Sequence, residues 1–291
     1  MIVGVVGSGL MGSGIAQACA TAGYRTIVRD TEAAQLEKGR AGIQKSLAKL
    51  VEKGKLTSVD QATALTWLTF TTDLAAIAAA DLIIEAVTED LALKNQLWGE
   101  LDRQARPETI FASNTSSLSI ISMAAATSRP DRFVCLHFFN PVPMMPLVEV
   151  VRSVQTSPAT FETAVGFVRS LGKEPVGAKD ASGFIVNLLL VPYILDAIRA
   201  LERGVASVGD IDTAMRLGAG HPMGPLTLAD FVGLDTLAKI GDIMFEEYRE
   251  TRYATPPLLR RMVTAGFFGR KSNRGFYDYR SDPPTPSSLG F

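Results

Sequence analysis

The sequence predicts an α/β domain built on a mostly parallel sheet, followed by an all-α domain. Three observations carry that prediction. Short β-branched runs alternate with helix-compatible runs over the first two-thirds of the chain, as in a sheet covered on both faces. A glycine-rich turn joins the first strand-like run to the first helical one. Past about Gly183 the strand signal stops, and apolar residues recur at helical spacing instead.

The elements follow in order. Ile2–Val6 reads as a strand, Met11–Ala22 as a helix of small residues and Arg25–Arg29 as a second strand. A long charged stretch, Thr31–Lys55, carries Leu36, Ile43, Leu47, Leu50 and Val51 at helical spacing, and a helix returns through Ser58–Leu65. Further strands are read at Leu68–Thr71, Leu82–Ala86, Thr109–Ala112, Phe133–Phe138 and Leu147–Val151, with helices at Leu91–Gln104 and Pro158–Leu171. After the boundary, Ile185–Leu201, Val208–Leu217, Leu226–Phe231, Leu234–Tyr248 and Pro257–Thr264 read as helices, and Phe276–Tyr279 as a short strand. The domains are therefore expected at 1–182, with a helical insertion at about 31–65, and at 183–291. The tail 281–291 is rich in Pro and Ser and is expected to be disordered.

Composition narrows the function classes. The 291 residues suit two domains at ~100–200 residues each, and 47% hydrophobic with 20% charged is ordinary for a packed soluble protein. Twenty-nine Lys+Arg against 30 Asp+Glu leave a formal charge of -1, which argues against binding nucleic acid through bulk charge. Two cysteines, Cys19 and Cys135, make no disulfide framework and fit a reducing compartment. No run reads as a membrane span, and Met1 leads directly into a strand with no room for a signal peptide. The expected location is the cytoplasm.

Gly7-Ser8-Gly9-Leu10-Met11-Gly12 matches G-x-G-x-x-G between a strand and a helix, the context in which that pattern binds a dinucleotide in a Rossmann-like domain. Gly7 permits the tight turn, Gly9 lets the backbone approach a pyrophosphate, and Gly12 lets helix and strand pack closely. Free N–H groups at the helix start then face the phosphates, so Gly7, Gly9, Leu10, Met11 and Gly12 are candidate cofactor contacts. Asp30 closes the second strand 18 residues after Gly12, where a carboxylate bonds the ribose hydroxyls and repels a 2′-phosphate. NAD is the expected cofactor, with Arg29 beside Asp30 weakening that preference slightly.

There are only two histidines. His221 lies in an interhelical loop and reads as structural. His137 ends a strand-like run, where ligands sit in an open parallel sheet. Glu149 lies in another apolar run, Leu147–Val151, and a carboxylate there needs a partner. Side by side, the two runs would set Glu149 on one ring nitrogen of His137 and leave the other as a general base.

From these residues the chain resembles the L-3-hydroxyacyl-CoA dehydrogenase family, including its bacterial 3-hydroxybutyryl-CoA dehydrogenases. The resemblance runs from Ile2 to about Tyr279. It rests on Ser113-Asn114-Thr115-Ser116-Ser117-Leu118, His137-Phe138-Phe139-Asn140-Pro141, Leu147-Val148-Glu149-Val150, Gly183-Phe184-Ile185-Val186-Asn187, Pro222-Met223-Gly224-Pro225 and Arg274-Gly275-Phe276-Tyr277. It implies His137 as catalytic base, Glu149 as its orienting partner, and Ser116, Asn140 and Asn187 as residues that contact substrate or position the reacting groups. It implies cofactor contacts at Glu89, Lys94, Asn114, Ser116 and Asn140, and no metal. Lys45, Lys49, Lys53 and Lys55 form a basic face on the insertion, and the resemblance implies that some of them, Lys49 and Lys53 first, meet the phosphates of an acyl-CoA. It also points to a homodimer through the helical domain, for which Phe231, Leu234, Leu237 and Ile240 are candidate interface residues.

Plainer readings stand beside these. Asn114 and Ser116 are favoured cap types for a helix starting near Ser117. Asn140 before Pro141 can simply begin a turn, and Glu89, Lys94 and the lysine face can be solvated charges. Phe231, Leu234, Leu237 and Ile240 can equally form their own domain's core. Asn187, in an apolar run, needs a hydrogen-bond partner under either reading. Two departures from the family pattern are visible. Ser8 stands where alanine is more usual, and Ser272-Asn273 replaces a Thr-Gly-like pair, where Asn still tolerates a left-handed turn.

Overall fold

The β-branched runs do form a sheet, and its order places the site. The structure, a computed structural model, describes residues 1–288. It divides into two units, Met1–Phe184 and Ile185–Phe291.

In the first unit, β1 (Ile2–Val6) leads into α1 (Leu10–Thr21) and β2 (Arg25–Arg29). The insertion follows as α2 (Ala33–Glu52) and α3 (Ser58–Thr66) before β3 (Leu68–Thr71). Then come β4 (Leu82–Glu85), α4 (Leu91–Gln104), β5 (Ile110–Ser113), α5 (Ile120–Ala124), β6 (Phe133–Phe138), β7 (Leu147–Arg152), α6 (Pro158–Ser170) and β8 (Glu174–Lys179). The eight strands lie in the order β3-β2-β1-β4-β5-β6-β7-β8. The first six strands follow the doubly wound order, whose ligand crevice opens at the carboxyl ends where that order reverses, between β1 and β4. All neighbours are parallel except β6 and β7. That reversal pairs His137 directly with Glu149 across the ladder.

Two apolar clusters explain why these strands are apolar throughout. Val3, Val5, Ile15, Val28, Ile84 and Leu136 pack on one side. Val6, Ile83, Trp98, Phe111, Phe133 and Cys135 pack on the other. The sheet is thus covered on both faces, with full burial worth roughly 1.5–3 kcal/mol per large aliphatic or aromatic side chain. In α2, Leu36, Ile43 and Leu47 are buried while Lys45, Lys49 and, at the C-cap, Lys53 stay exposed, which is the amphipathic split the spacing predicts.

The second unit contains α7 (Val186–Glu202), α8 (Val208–Gly218), α9 (Pro225–Val232), α10 (Leu234–Tyr248), α11 (Pro257–Thr264), β9 (Tyr277–Asp278) and β10 (Thr285–Pro286). Ile194, Leu195, Ile198, Leu226, Met244, Leu259 and Phe276 form its core. Two buried carboxylates tie it together. Asp212 accepts from the backbone N–H groups of Leu226 (2.8 Å) and Thr227 (2.9 Å), at the start of α9. Asp230 accepts from Phe276 N (2.9 Å), Tyr277 N (2.9 Å) and Tyr279 Oη (3.1 Å). Burial pushes the Asp230 carboxyl up to about 6 against the pull of those donors, and the nearby charge of Asp212 adds to the rise. Asn273 takes the left-handed conformation, φ 57°, so its turn survives the exchange.

Four expectations are corrected. The tail is not irregular from 281 on: β10 pairs with β9, and Ser287 N donates to Phe276 O (2.9 Å); Leu289–Phe291 lie outside the described residues. The strand β8 was not predicted, because Pro175 and Gly177 break its pattern and, as an edge strand, it is half exposed. Leu234 and Leu237 are 0% and 1% exposed in their own unit's core, which removes them from any interface face, whereas Phe231 is 42% exposed. Helix α5 starts at Ile120 and its cap is Ser119, so Asn114 and Ser116 are not helix caps.

Candidate active site

The glycine turn is built as its sequence requires. Gly7 has φ +98°, a conformation that favours glycine, and a Cβ on Gly12 would lie 1.8 Å from Gly7 O. Gly9 differs: its φ is -66°, and a Cβ there would meet nothing within 4 Å. Neither backbone nor packing requires glycine at Gly9. Glycine there leaves open space against the backbone, of the kind a pyrophosphate needs for close approach. Gly9 is also the N-cap of α1 and supplies no side-chain cap, so the first N–H groups of α1 are left to an anion.

A cavity of about 550 Å³ opens beside the turn, lined by Gly7, Gly9, Asp30, Val87, Leu93 and Leu97 among others. One carboxylate oxygen of Asp30, Oδ2, accepts from Ser8 N (2.7 Å) and Ser8 Oγ (2.8 Å). The serine that departs from the family pattern thus grips this acid. Burial alone would raise the Asp30 pKa, but the Ser8 bonds and the N–H groups of Glu32 and Thr31 outweigh it, and the carboxyl is held below its usual value. An ionised acid on a cavity of mixed polar and apolar lining, beside an uncapped helix, suits the adenosine and pyrophosphate of NAD. Arg29 lines the same cavity, with Nε on Thr72 O at 3.3 Å.

At the far strands, His137 Nδ1 meets Glu149 Oε2 at 2.6 Å. Both are buried, His137 at 6% exposure. Phe139 and Phe184 pack on the imidazole with ring centroids at 4.4 and 5.6 Å. Phe184 has φ 51°, an unusual backbone for an aromatic residue and strain of the kind that gathers at functional sites. The ring is therefore wedged, with Nδ1 committed to a carboxylate.

The strand ends between turn and histidine carry the remaining residues. Asn114 Oδ1 accepts from Phe138 N (2.9 Å), which ties the end of β5 to the residue after His137. Glu89 accepts from Ser116 N (3.0 Å). Lys94 is not a solvated charge. It is 1% exposed, with Nζ 2.5 Å from Glu85 Oε1 and 3.2 Å from Glu89 Oε2. Glu85 was missed by sequence reasoning, although the signal that exposed Glu149, a carboxylate in an apolar strand run, is present in Leu82–Glu85.

Two further cavities continue along α2. One, about 400 Å³, is lined by Gly9, Leu10, Gly39, Ile43, Asn140 and Pro141 among others. The next, about 410 Å³, has Lys45, Lys49 and Lys53 against Leu50, Pro143 and Met144. Lys55 does not line it. Met11 packs on the core rather than in either cavity. Lys173, also unforeseen, donates to Val142 O (2.6 Å) and Met145 O (2.7 Å) and so pins the loop that follows Asn140. In the helical unit, Asn187 is half-buried in the first turn of α7. His221 Nδ1 bonds Tyr193 Oη at 2.9 Å, in keeping with a structural role. No helix among the described residues is long and apolar enough to cross a membrane.

Comparison with known proteins gives a consistent picture. Residues 2–181 match the family model described as 3-hydroxyacyl-CoA dehydrogenase, NAD binding domain, and residues 183–279 match 3-hydroxyacyl-CoA dehydrogenase, C-terminal domain. A 3-hydroxybutyryl-CoA dehydrogenase of Mycobacterium tuberculosis is 52% identical over 279 residues, covering 95% of this chain and 98% of the relative. The human mitochondrial hydroxyacyl-coenzyme A dehydrogenase is 50% identical over 285 residues, covering 96% and 91%. The crystal structure of (S)-3-hydroxybutyryl-CoA dehydrogenase PaaH1 from Ralstonia eutropha superposes with a TM-score of 0.92 at 45% identity, covering 96% and 98%.

Proposed function

The chain belongs to the 3-hydroxyacyl-CoA dehydrogenase family, and from that premise we propose that it interconverts (S)-3-hydroxybutyryl-CoA and acetoacetyl-CoA. The reaction is (S)-3-hydroxyacyl-CoA + NAD⁺ ⇌ 3-oxoacyl-CoA + NADH + H⁺. The observation that carries the reading is the buried His137–Glu149 pair at 2.6 Å, at strand ends in the same unit as a dinucleotide turn.

NAD supplies the hydride acceptor; the chain's own groups do the binding, orienting and proton transfer. Gly7, Gly9 and the start of α1 receive the pyrophosphate, and Asp30 takes the adenosine ribose. His137 Nε2 removes the proton of the 3-hydroxyl as hydride leaves C3. Glu149 stabilises the imidazolium and fixes the ring's orientation. In the reverse direction His137 returns that proton to the oxygen at C3. Ser116 and Asn187 hold the reacting oxygen or the thioester carbonyl, and Asn140 lines the approach. Lys45, Lys49 and Lys53 meet the coenzyme A phosphates while Leu50 and Met144 line the same cavity. The protein works in the cytoplasm as a homodimer formed through the helical unit, where Phe231 and Leu189 are exposed.

A chain-length series of 3-oxoacyl-CoA thioesters, followed by absorbance at 340 nm with NADH and with NADPH, tests the proposal. Turnover greatest with acetoacetyl-CoA and NADH is expected. NADH oxidation with none of the thioesters would overturn the function, and a preference for long acyl chains would overturn the substrate.

A further inference from the structure

Five polar residues at the carboxyl ends of β4 and β5, in the segment leading into α4 and in the first turn of α4 close into a ring. Lys94 Nζ bonds Glu85 Oε1 (2.5 Å). Glu85 Oε2 accepts from Ser113 Oγ (2.7 Å), its direct neighbour across the β4–β5 ladder. Ser113 Oγ in turn accepts from Thr115 N (3.2 Å). Thr115 Oγ1 donates to Glu89 Oε1, and Glu89 Oε2 returns to Lys94 Nζ at 3.2 Å. Glu85, Lys94, Ser113 and Thr115 are buried, with at most 1% exposure.

We propose that this ring is a positioning device for Ser116, with Glu85 and Thr115 as its positioning residues. The inference rests on the reading of Ser116 as a substrate contact. The geometry shows how the device works. The same Glu89 oxygen that receives the Thr115 hydroxyl accepts Ser116 N at 3.0 Å. Thr115 Oγ1 also accepts from Leu118 N at 3.0 Å. The turn is therefore held at Thr115 N, Ser116 N and Leu118 N, and each hold leads back to Lys94 through a carboxylate. Asn114 N donates to Glu85 O at 2.8 Å, which fixes the turn's other end to β4.

Burying the Glu85 carboxylate and the Lys94 ammonium, with Glu89 part-buried beside them, is a poor way to gain stability, because apolar residues of similar volume would do as well or better. A closed, fully bonded ring instead gives one geometry. Positioning is where that pays, since a displacement of about 1 Å at a reacting group can cost ~10²-fold in rate. Glu85 acts through Lys94 and Ser113, and touches neither substrate nor cofactor in this scheme.

The test uses Thr115→Val, Thr115→Ser, Glu85→Gln and Ser116→Ala. For each, kcat for acetoacetyl-CoA reduction is measured per NADH-binding site, with NADH affinity read by fluorescence titration. Thr115→Val leaves the buried charges untouched and is expected to fold. Its kcat should fall ~10-fold or more while NADH affinity stays within ~3-fold, and Thr115→Ser, which keeps the hydroxyl, should restore most of the kcat. Glu85→Gln should show the same split if it folds. A Thr115→Val enzyme with kcat within ~2-fold of the parent overturns the proposal whatever Glu85→Gln does. Loss of kcat in Ser116→Ala with none in Thr115→Val would discard the ring alone. Full kcat in Ser116→Ala would discard the role given to Ser116, and the ring's purpose with it.

Discussion

Replacing Glu149 with glutamine isolates the contribution of one charge. Glutamine keeps the size of the side chain and an oxygen that can accept from Nδ1, so the 2.6 Å contact and its burial need not be lost. What disappears is the negative charge facing the imidazolium that forms as His137 takes up a proton. A hydrogen bond to a charged partner contributes ~1.5–3 kcal/mol against ~1 kcal/mol for a neutral one. The difference, ~0.5–2 kcal/mol, falls on the transition state of the oxidation, because only there does the ring carry the developing charge. At 1.36 kcal/mol per tenfold, kcat should drop ~2–30-fold. NADH affinity should not follow, since Asp30 and the glycine turn are untouched. Steady-state rates of (S)-3-hydroxybutyryl-CoA oxidation by NAD⁺, the direction in which His137 takes up the proton, paired with fluorescence titration of NADH, read both quantities. A Glu149→Gln enzyme with unchanged kcat would refute the reasoning that this carboxylate stabilises a charged histidine. An equal loss in NADH affinity would refute the separation of the two halves of the site.

Other perturbations have equally definite outcomes. Asp30→Ala removes the acid that repels a 2′-phosphate and leaves Arg29 on the same cavity, so the NADH-over-NADPH ratio of kcat/KM should narrow or reverse. A wild-type enzyme indifferent to the two cofactors would contradict that reading of Asp30. Changing Lys49 and Lys53 together to alanine should raise the KM for acetoacetyl-CoA several-fold at low salt, more than it changes kcat or the KM for NADH. The effect should shrink as ionic strength rises, because exposed charges are screened; an unchanged KM at low salt would return these lysines to solvent. The helical unit carries a pH signature through Asp230, whose folded-state value of about 6 lies above the usual 3.8. Between those values the folded state binds the proton more tightly than the unfolded state, so stability falls as pH rises through that window, with a ceiling of ~3 kcal/mol. Urea midpoints at pH 4.5 and 7 should therefore differ less in Asp230→Asn than in the parent, and an equal difference in both would refute the assignment.

What was legible in the sequence is what has a period or a forced chemistry. The strands from Ile2 to Val151 announce themselves as short apolar runs because the sheet is buried on both faces. Glu149 was readable because a carboxylate inside such a run must find a partner, and the reversal between β6 and β7 places that partner directly opposite. The same logic applied to Glu85 and would have drawn Lys94 inward, but at helical spacing a lysine looks solvated until its neighbours are known. Edge strand β8 has no alternation to read, with Pro175 and Gly177 inside it. Leu234 and Leu237 show a different limit: an apolar stripe on a helix does not say whether it meets its own core or another surface. Ser8 could be noticed as a departure, yet its bond to Asp30 spans 22 residues and only the folded turn reveals it.

The central claim is that His137 is the acid–base group of an NAD(H)-dependent dehydrogenase. The most direct measurement is the NADH oxidation rate with saturating acetoacetyl-CoA for the parent and for His137→Gln, with NADH affinity taken on the same samples. The account predicts turnover by the parent, a fall in kcat of at least ~10²-fold in the variant and nearly unchanged NADH affinity. A variant that binds NADH and keeps most of its kcat would contradict it.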